Sequence, residues 1–323
     1  MSVTVLKTGL LSTVQDGGRP GHAELGVGRA GAMDLPAWRL ANALVGNSGG
    51  EAALEFTLLG PTLRFEQPAM VALTGAAAAA QAGGVPLPFW TCCHLPAGAV
   101  LSIGGMAQGC RGYLAVRGGF DSTPVLGSRS CDLHARLGRA LREGDELKLG
   151  ASEPLPGMPG GDIPTLLNWR LDASEWFDEQ PRPLALLRGS HCDALDQASQ
   201  QALHQAPFSV SKDANRTAAR LDGPRLRLRQ PLELVSEATL PGTLQLPPSG
   251  QPIALLAEAP VSGGYPRIGQ IAAVDLPRLA QRRPGDAVHF IPITLDEALD
   301  RLAARERALE RQLAAIAARH KSP

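Results

Sequence analysis

The chain has 323 residues, 44% hydrophobic and 19% charged, and its 31 basic side chains are matched by 31 acidic ones. That is enough apolar material for a sizeable core in each of two domains, and the zero net charge argues against a nucleic-acid groove or a basic membrane face. No apolar run is long enough to span a bilayer, Met1–Leu11 lacks the layout of a secretory leader, and five cysteines without a Cys-x-x-Cys fit buried reduced thiols. A cytoplasmic chain with no nucleic-acid or membrane partner and no metal site is expected.

With 36 glycines and 27 prolines, turns are frequent and strands are expected to be short. Gln15-Asp16-Gly17-Gly18-Arg19-Pro20-Gly21 places an amide, a carboxylate and a guanidinium in a permissive turn. Gly26–Gly31 fits G-x-G-x-x-G, but the residues before it read as loop, so the buried strand that a dinucleotide site needs is missing. A helix is expected from Asp34, an N-cap candidate, with Pro36 in its first turn and Gly46 beyond its end. Asn42 falls on the apolar face of this helix and is read as either a structural clamp or a binding group. Asp34 is read as either a cap alone or an acid–base group.

Strands are expected at Gly60–Pro68, Met70–Leu73, Val100–Ile103, Arg111–Val116 and around Glu146–Leu149. Cys92-Cys93-His94 on a strand sends adjacent side chains to opposite faces, which disfavours zinc. Gly127–Ser130 reads as a serine-rich turn, with Arg129 a candidate for gripping an anion. The Pro- and Gly-rich stretch 151–164 reads as a linker. It separates an N-terminal β-barrel-like domain, 1–150, from a second one, 165–293, and 294–323 reads as a C-terminal helix.

In the second half, strands are expected at Leu184–Leu187, Leu232–Val235 and Ile253–Leu256, and a helix at Asp193–Gln205. Gly223–Pro231 echoes Gly60–Pro68, and Gly285–Phe290 echoes Gly144–Leu149, which suggests two similarly built lobes. Arg216, Arg220, Gln245, Gln251 and Tyr265 cluster in glycine-flanked segments that suit ligand approach. Thr294-x-x-Glu297 is a capping box, and Leu295, Leu299, Leu302, Leu309, Leu313 and Ile316 form a leucine seam, open to the rest of the same chain or to a partner. No Walker loop, nucleophile elbow or H-E-x-x-H is present.

Taken in order, Q-D-G-G-R-P-G at 15–21, G-A-M-D at 31–34, A-N-A-L-V-G-N at 41–47, L-E-F-T-L-L-G-P at 54–61, R-G-G-F at 117–120 and L-G-S-R-S at 126–130 resemble one family. So do P-G-T-L-Q-L-P-P-S-G-Q-P at 241–252, S-G-G-Y-P at 262–266 and P-G-D-A-V-H-F at 284–290. It is the family of the 5-oxoprolinase C-type subunit, KipA and the urea-amidolyase-related carboxyltransferases. The resemblance implies a mainly β fold of two tandem cyclophilin-like β-barrel domains with a few short helices. It also implies a B-type or KipI-type partner protein and, often, a third, A-type protein.

The activity it implies is ATP-dependent hydrolysis of 5-oxoproline to glutamate by the assembled complex, with ATP handled there. Alternatives are carboxyl transfer from biotin on another chain to a urea-like amide, and a non-catalytic regulator of a KipI-type kinase inhibitor. For a small amide or lactam substrate, Asp16, Asp34 and Glu55 are candidates for acid–base work. Gln15, Arg19, Asn42, Arg129, Arg216, Arg220, Gln245, Gln251 and Tyr265 are candidates for binding. Ala218, where relatives carry Gly, departs from the pattern, and the tail beyond Glu297 lies outside it.

Overall fold

The computed structural model describes residues 2–152, 161–178 and 180–321, so most of the expected linker lies outside the described residues. The protein is mainly β, with a nearly closed barrel sheet, few helices and a C-terminal helix. The chain forms two compact units, both discontinuous in sequence. One comprises Met1–Arg19, Asp34–Glu179 and Ala308–Pro323, and the other Pro20–Met33 and Gln180–Arg307.

The first unit holds two six-stranded sheets. One runs in the order Glu146–Lys148, Ser2–Lys7, Thr62–Phe65, Val100–Met106, Ala78–Ala82 and Val85–Pro86. The other runs Thr165–Leu166, Cys92–Leu95, Ala69–Gly75, Arg111–Val116, Ala53–Thr57 and Leu11–Gln15. Ala69–Gly75 and Arg111–Val116 are buried along their whole lengths, as central strands covered on both faces must be. Helix α1, Leu35–Leu44, packs on this pair of strands and buries Trp38, Leu40, Ala41 and Leu44. Asp34 caps it, accepting from Ala37 N at 3.1 Å, and Gly46 leaves it with φ 71°.

The second unit is built on one eight-stranded sheet: Ala287–Val288, Phe208–Val210, Ala218–Asp222, Ile253–Leu255, Thr243–Gln245, Arg267–Ile271, Leu184–Arg188 and Phe290–Pro292. Leu184, Leu186, Leu221, Leu244, Ala254, Ile268 and Phe290 are buried together in its core. A separate ribbon pairs Glu237–Ala238 with Ser262–Gly263.

Three sequence expectations fail here. Gly223–Pro231 is irregular apart from a bridge between Leu195 and Leu228, so the echo of Gly60–Pro68 does not form a strand. Leu232–Val235 is also irregular. It lies largely at the surface, with Val235 87% exposed. The expected helix at 193–205 is split. A 3-10 turn, Cys192–Ala194, is followed by extended Leu195, which is wholly buried. Asp196 then caps helix α2, Gln197–Gln205, by accepting from Ser199 N at 2.7 Å.

A short helix α3, Leu276–Ala280, precedes the tail helix α4, Leu295–Lys321. The capping box at the start of α4 forms as expected: Thr294 N donates to Glu297 Oε2 at 3.0 Å, and Glu297 N to Thr294 Oγ1 at 3.3 Å. The seam divides: Leu295 and Leu299 are exposed, whereas Leu309 and Ile316 are buried. In the first unit, Glu310 pairs with Arg39 at 2.5 Å, and the His320 ring lies 3.0 Å from the Ala43 carbonyl.

Candidate functional site

The turn after strand Leu11–Gln15 is organised around one carboxylate. Buried Asp16 accepts at Oδ1 from Gly18 N (2.8 Å), Ser128 Oγ (2.6 Å) and Ser130 Oγ (2.5 Å), and at Oδ2 from Arg129 N (2.6 Å). Ser128 reaches it because Val125–Ser128 closes as a tight turn whose central residues, Leu126 and Gly127, both have positive φ (52° and 77°). Arg19, 1% exposed, donates to the carbonyls of Ser130 and Val125, and its Nη1 lies 4.0 Å from Asp132 Oδ2. Gln15 Nε2 donates to Thr13 Oγ1 and to the Cys131 carbonyl, both at 3.0 Å. Three predicted residues, Gln15, Asp16 and Arg19, thus grip one segment, 125–132. The fourth residue of this region, Arg129, contributes its backbone N–H; its side chain points outward to Asp121 at 3.0 Å.

A second buried chain joins the other two candidate carboxylates. The Tyr113 hydroxyl donates to Glu55 Oε2 at 2.7 Å and accepts from Asp34 N at 2.8 Å. Arg111 Nε lies 3.9 Å from Glu55 Oε1. The register of the central sheet creates this meeting, because Tyr113 sits directly across from Glu55. Burial, then the nearby carboxylates of Glu55 and Asp34, push the Tyr113 hydroxyl well above its ordinary range. Tyr113 therefore stays a neutral donor.

Asn42 is fully buried. Its Nδ2 donates to the carbonyls of Trp38 (3.3 Å) and Glu51 (3.0 Å), and its Oδ1 accepts from Asn47 Nδ2 at 2.7 Å. Those bonds pin α1 to the following loop, which is the clamp arrangement.

In the second unit, Arg216 and Glu258 form a buried pair at 2.6 Å, with side chains 1% and 2% exposed, and Arg216 also donates to the Gly31 carbonyl at 2.6 Å. Arg220 is exposed on its strand. Gln251 exchanges two bonds of 3.1 Å with the backbone of Gly223. Gln245 is 5% exposed and its Nε2 is buried without a partner. Tyr265 is 46% exposed.

Sequence reasoning passed over Tyr113, Arg111, Ser128, Ser130, Asp132 and Glu258 as site residues. One signal for Tyr113 was available: a hydroxyl inside the apolar run Arg111–Val116 must find a partner when buried. The G-x-G-x-x-G segment follows a 3-10 turn, Ala23–Leu25, rather than a strand. Gly28 is needed there for contact: a Cβ would stand 2.7 Å from the Ala259 carbonyl. The five cysteines are free and buried. Burial and the neighbouring Cys93 push the Cys92 thiol up, and burial takes Cys93 to about 12, so neither is a thiolate nucleophile. Among the described residues no cluster of His, Cys, Asp or Glu could hold a metal ion, and no helix is long and apolar enough to cross a membrane.

Residues 25–292 match the sequence model of a family described as carboxyltransferase domain, subdomain A and B. The chain is 38% identical to the C-type subunit of 5-oxoprolinase from Escherichia coli (strain K12), over 95% of this chain and 96% of that one. It is 34% identical to the corresponding 5-oxoprolinase chain of Haemophilus influenzae, over 92% and 93% respectively. In three dimensions it resembles the crystal structure of the K. lactis urea amidolyase, with a TM-score of 0.86 and 26% identity, covering 96% of this chain but 20% of that one. The chain belongs to the carboxyltransferase-domain family.

Proposed function

We propose that this member of the carboxyltransferase-domain family is one component of an ATP-dependent 5-oxoprolinase, opening 5-oxoproline to glutamate only when assembled with its partners. One observation carries the reading. This chain and the C-type component of 5-oxoprolinase correspond along nearly the whole of each, whereas the same fold accounts for a fifth of the urea amidolyase chain. The partners expected are a B-type or KipI-type protein and an A-type protein, in the cytoplasm.

A lactam carbonyl is a poor electrophile. Transfer of the terminal phosphoryl group of ATP to its oxygen gives an imidate phosphate, to which water adds. Collapse then breaks the ring C–N bond, the nitrogen leaving as the amine, to give γ-glutamyl phosphate, and a second water hydrolyses that acyl phosphate to glutamate and phosphate, ADP having left in the first transfer. ATP is a co-substrate here, and the Gly-rich turn at 16–19 does not fit it: the N–H groups of Gly18 and Arg129 are aimed at Asp16's own carboxylate. We assign the handling of ATP to the assembled complex.

In this chain Asp16, Gln15 and Arg19 hold the 125–132 segment in place. The Asp34–Tyr113–Glu55 chain fixes the start of α1 against the central sheet. These groups are positioning residues, which supply a preorganised frame rather than a proton shuttle. Gln245, with a buried donor not used by the fold, is the best-placed substrate-binding residue of those expected.

The reading is tested by 5-oxoproline-dependent ATP hydrolysis, with the chain alone and then co-expressed with its partner proteins. Glutamate released only by the assembled mixture, and lost when this chain is omitted, is the expected result. A verified stable complex without turnover would remove it. A second reading, carboxyl transfer from biotin on another chain to a urea-like amide, is favoured by the TM-score of 0.86 to urea amidolyase. Urea-dependent consumption of carboxybiotin would move it ahead.

A further inference from the structure

A helix near the end of a chain ordinarily frays unless it is tied down, and the last turns of α4 are tied down. Ile316 is buried. The Arg319 guanidinium lies over the Trp169 ring at 5.3 Å, and the His320 ring meets the same indole at a tilt, 5.9 Å between centroids. His320 Nε2 reaches the Ala43 carbonyl at 3.0 Å. A carbonyl only accepts, so this nitrogen carries the proton and satisfies one of the last carbonyls of α1. These contacts all fall within the first unit, and they fix the end of α4 as a wall. That wall lies beyond the residues matched by the family model.

Between the end of α4, the end of α1 and the 46–49 loop lies a cleft of about 640 Å³. Clefts of this volume suit metabolite-sized ligands. Leu313, Ala314 and Ala317 give it an apolar side. Arg39, Arg117, His320 and Lys321 give it a cationic one, against the carboxylate of Glu310.

Part of this charge serves the fold. Arg117 donates to the carbonyls of Val45 and Gly46 at 2.9 and 3.0 Å, and with His320 it answers the negative end of α1. Arg39 and Lys321 lie outside that role. Arg39 is held by Glu310, with side chains 28% and 63% exposed, and a pair this exposed is weak enough to be exchanged for another anion. The backbone of the loop cannot serve instead: the N–H groups of Ser48, Gly49 and Gly50 all donate to the Glu51 carboxylate, at 3.0, 2.8 and 3.0 Å. An anion entering the cleft is therefore left to the side chains.

We propose that this cleft binds a small organic phosphate, its phosphate on the side of Arg39, Arg117 and Lys321 and its apolar body against Leu313, Ala314 and Ala317. Glu310 gives up Arg39 as the ligand enters. With His320 neutral, the lining cations exceed the lining carboxylate by two charges, which matches the near-dianion that a phosphate monoester is at neutral pH and exceeds the single charge of a carboxylate. The site uses none of the groups assigned to the amide reaction, and the inference stands or falls apart from that reading.

The test uses the full chain, with phenyl phosphate, benzoate and inorganic phosphate as probes in calorimetry. Phenyl phosphate is expected to bind, with each of the other two weaker by at least about fivefold, one lacking the second charge and the other the apolar body. The Arg39→Gln/Lys321→Met double variant should weaken phenyl phosphate by at least about tenfold at an unchanged melting temperature, because both side chains lie toward the surface. Glu310→Gln should tighten it by about threefold, since Arg39 no longer has to be released. Hydrogen exchange needs no variant, and protection by phenyl phosphate is expected at residues 43–49 and 313–321. No binding of phenyl phosphate, wild-type affinity in the double variant, weaker binding in Glu310→Gln, or protection confined to other segments would overturn the proposal. Equal affinity for inorganic phosphate would reduce the cleft to an unselective anion patch and overturn it too. So would capture by phosphatidic acid vesicles without binding of phenyl phosphate, which would assign the charge to a membrane surface.

Discussion

Asp16 receives four donors, drawn from the turn it heads and from the 128–130 segment. Asp16→Ala strands buried hydroxyls and N–H groups, so we predict a loss of about 3 kcal/mol in urea unfolding. Arg216→Ala leaves Glu258 as an uncompensated buried charge, and about 4 kcal/mol is expected from the same measurement. Tyr113→Phe removes the link between Asp34 N and Glu55, which should cost about 2 kcal/mol. If activity in the assembled complex follows that stability loss rather than exceeding it, the positioning role stands.

Glu51 gives the pH prediction. Burial raises its carboxyl, but bonds from Ser48 and from the N–H groups of Ser48 and Gly49 outweigh this and hold it below the ordinary range. The folded value lies below the unfolded one. Its stabilisation is therefore complete above the unfolded value and is lost as pH falls through the folded one. The melting temperature should drop on acidification below about pH 4.5, the ordinary value for Glu. Glu51→Gln should flatten that part of the profile.

At the level of elements, the tail helix α4 is held by its cap and by buried Ala298, Leu309 and Ile316. Leu309 and Ile316 are each 1% exposed, and truncating either to Ala should cost about 3 kcal/mol. Thr294→Ala removes one side of the capping box and should raise amide exchange in the first turn while leaving the last turns unchanged. Caps were legible in sequence because their bonds reach only three residues, as at Asp34 and Thr294. Strands such as Arg111–Val116 were legible from apolar content and flanking turns. Leu232–Val235 is also apolar but lies largely at the surface and is unpaired, and a short segment without ladder partners does not form a strand.

For the molecule as a whole, the family match spans residues 25–292, while α4 runs from Leu295 to Lys321, beyond it. The proposed hydrolase predicts no glutamate release from the purified chain alone and restoration when partner proteins are added. Direct measurement of product with each component withheld in turn checks this. The exposed Leu295 and Leu299, unlike the buried Leu309 and Ile316, take no part in the packing that fixes the tail.

The sequence by itself determined the β-rich class, the family, the starts of α1 and α4 and some of the residues that became buried polar groups, among them Gln15, Asp16, Arg19, Asn42, Glu55 and Arg216. It could do so because turn chemistry, caps and alternation are local properties of the chain. The tertiary structure decided how those polar groups are used. Asp16 meets Ser130 across 114 residues, Tyr113 meets Glu55 across 58, and Arg216 meets Glu258 across 42. Such pairings depend on sheet register and loop closure, which no spacing rule encodes. The same holds for Gln245: a glutamine in a strand is unremarkable until the fold buries its donor beneath a glycine and gives it no acceptor.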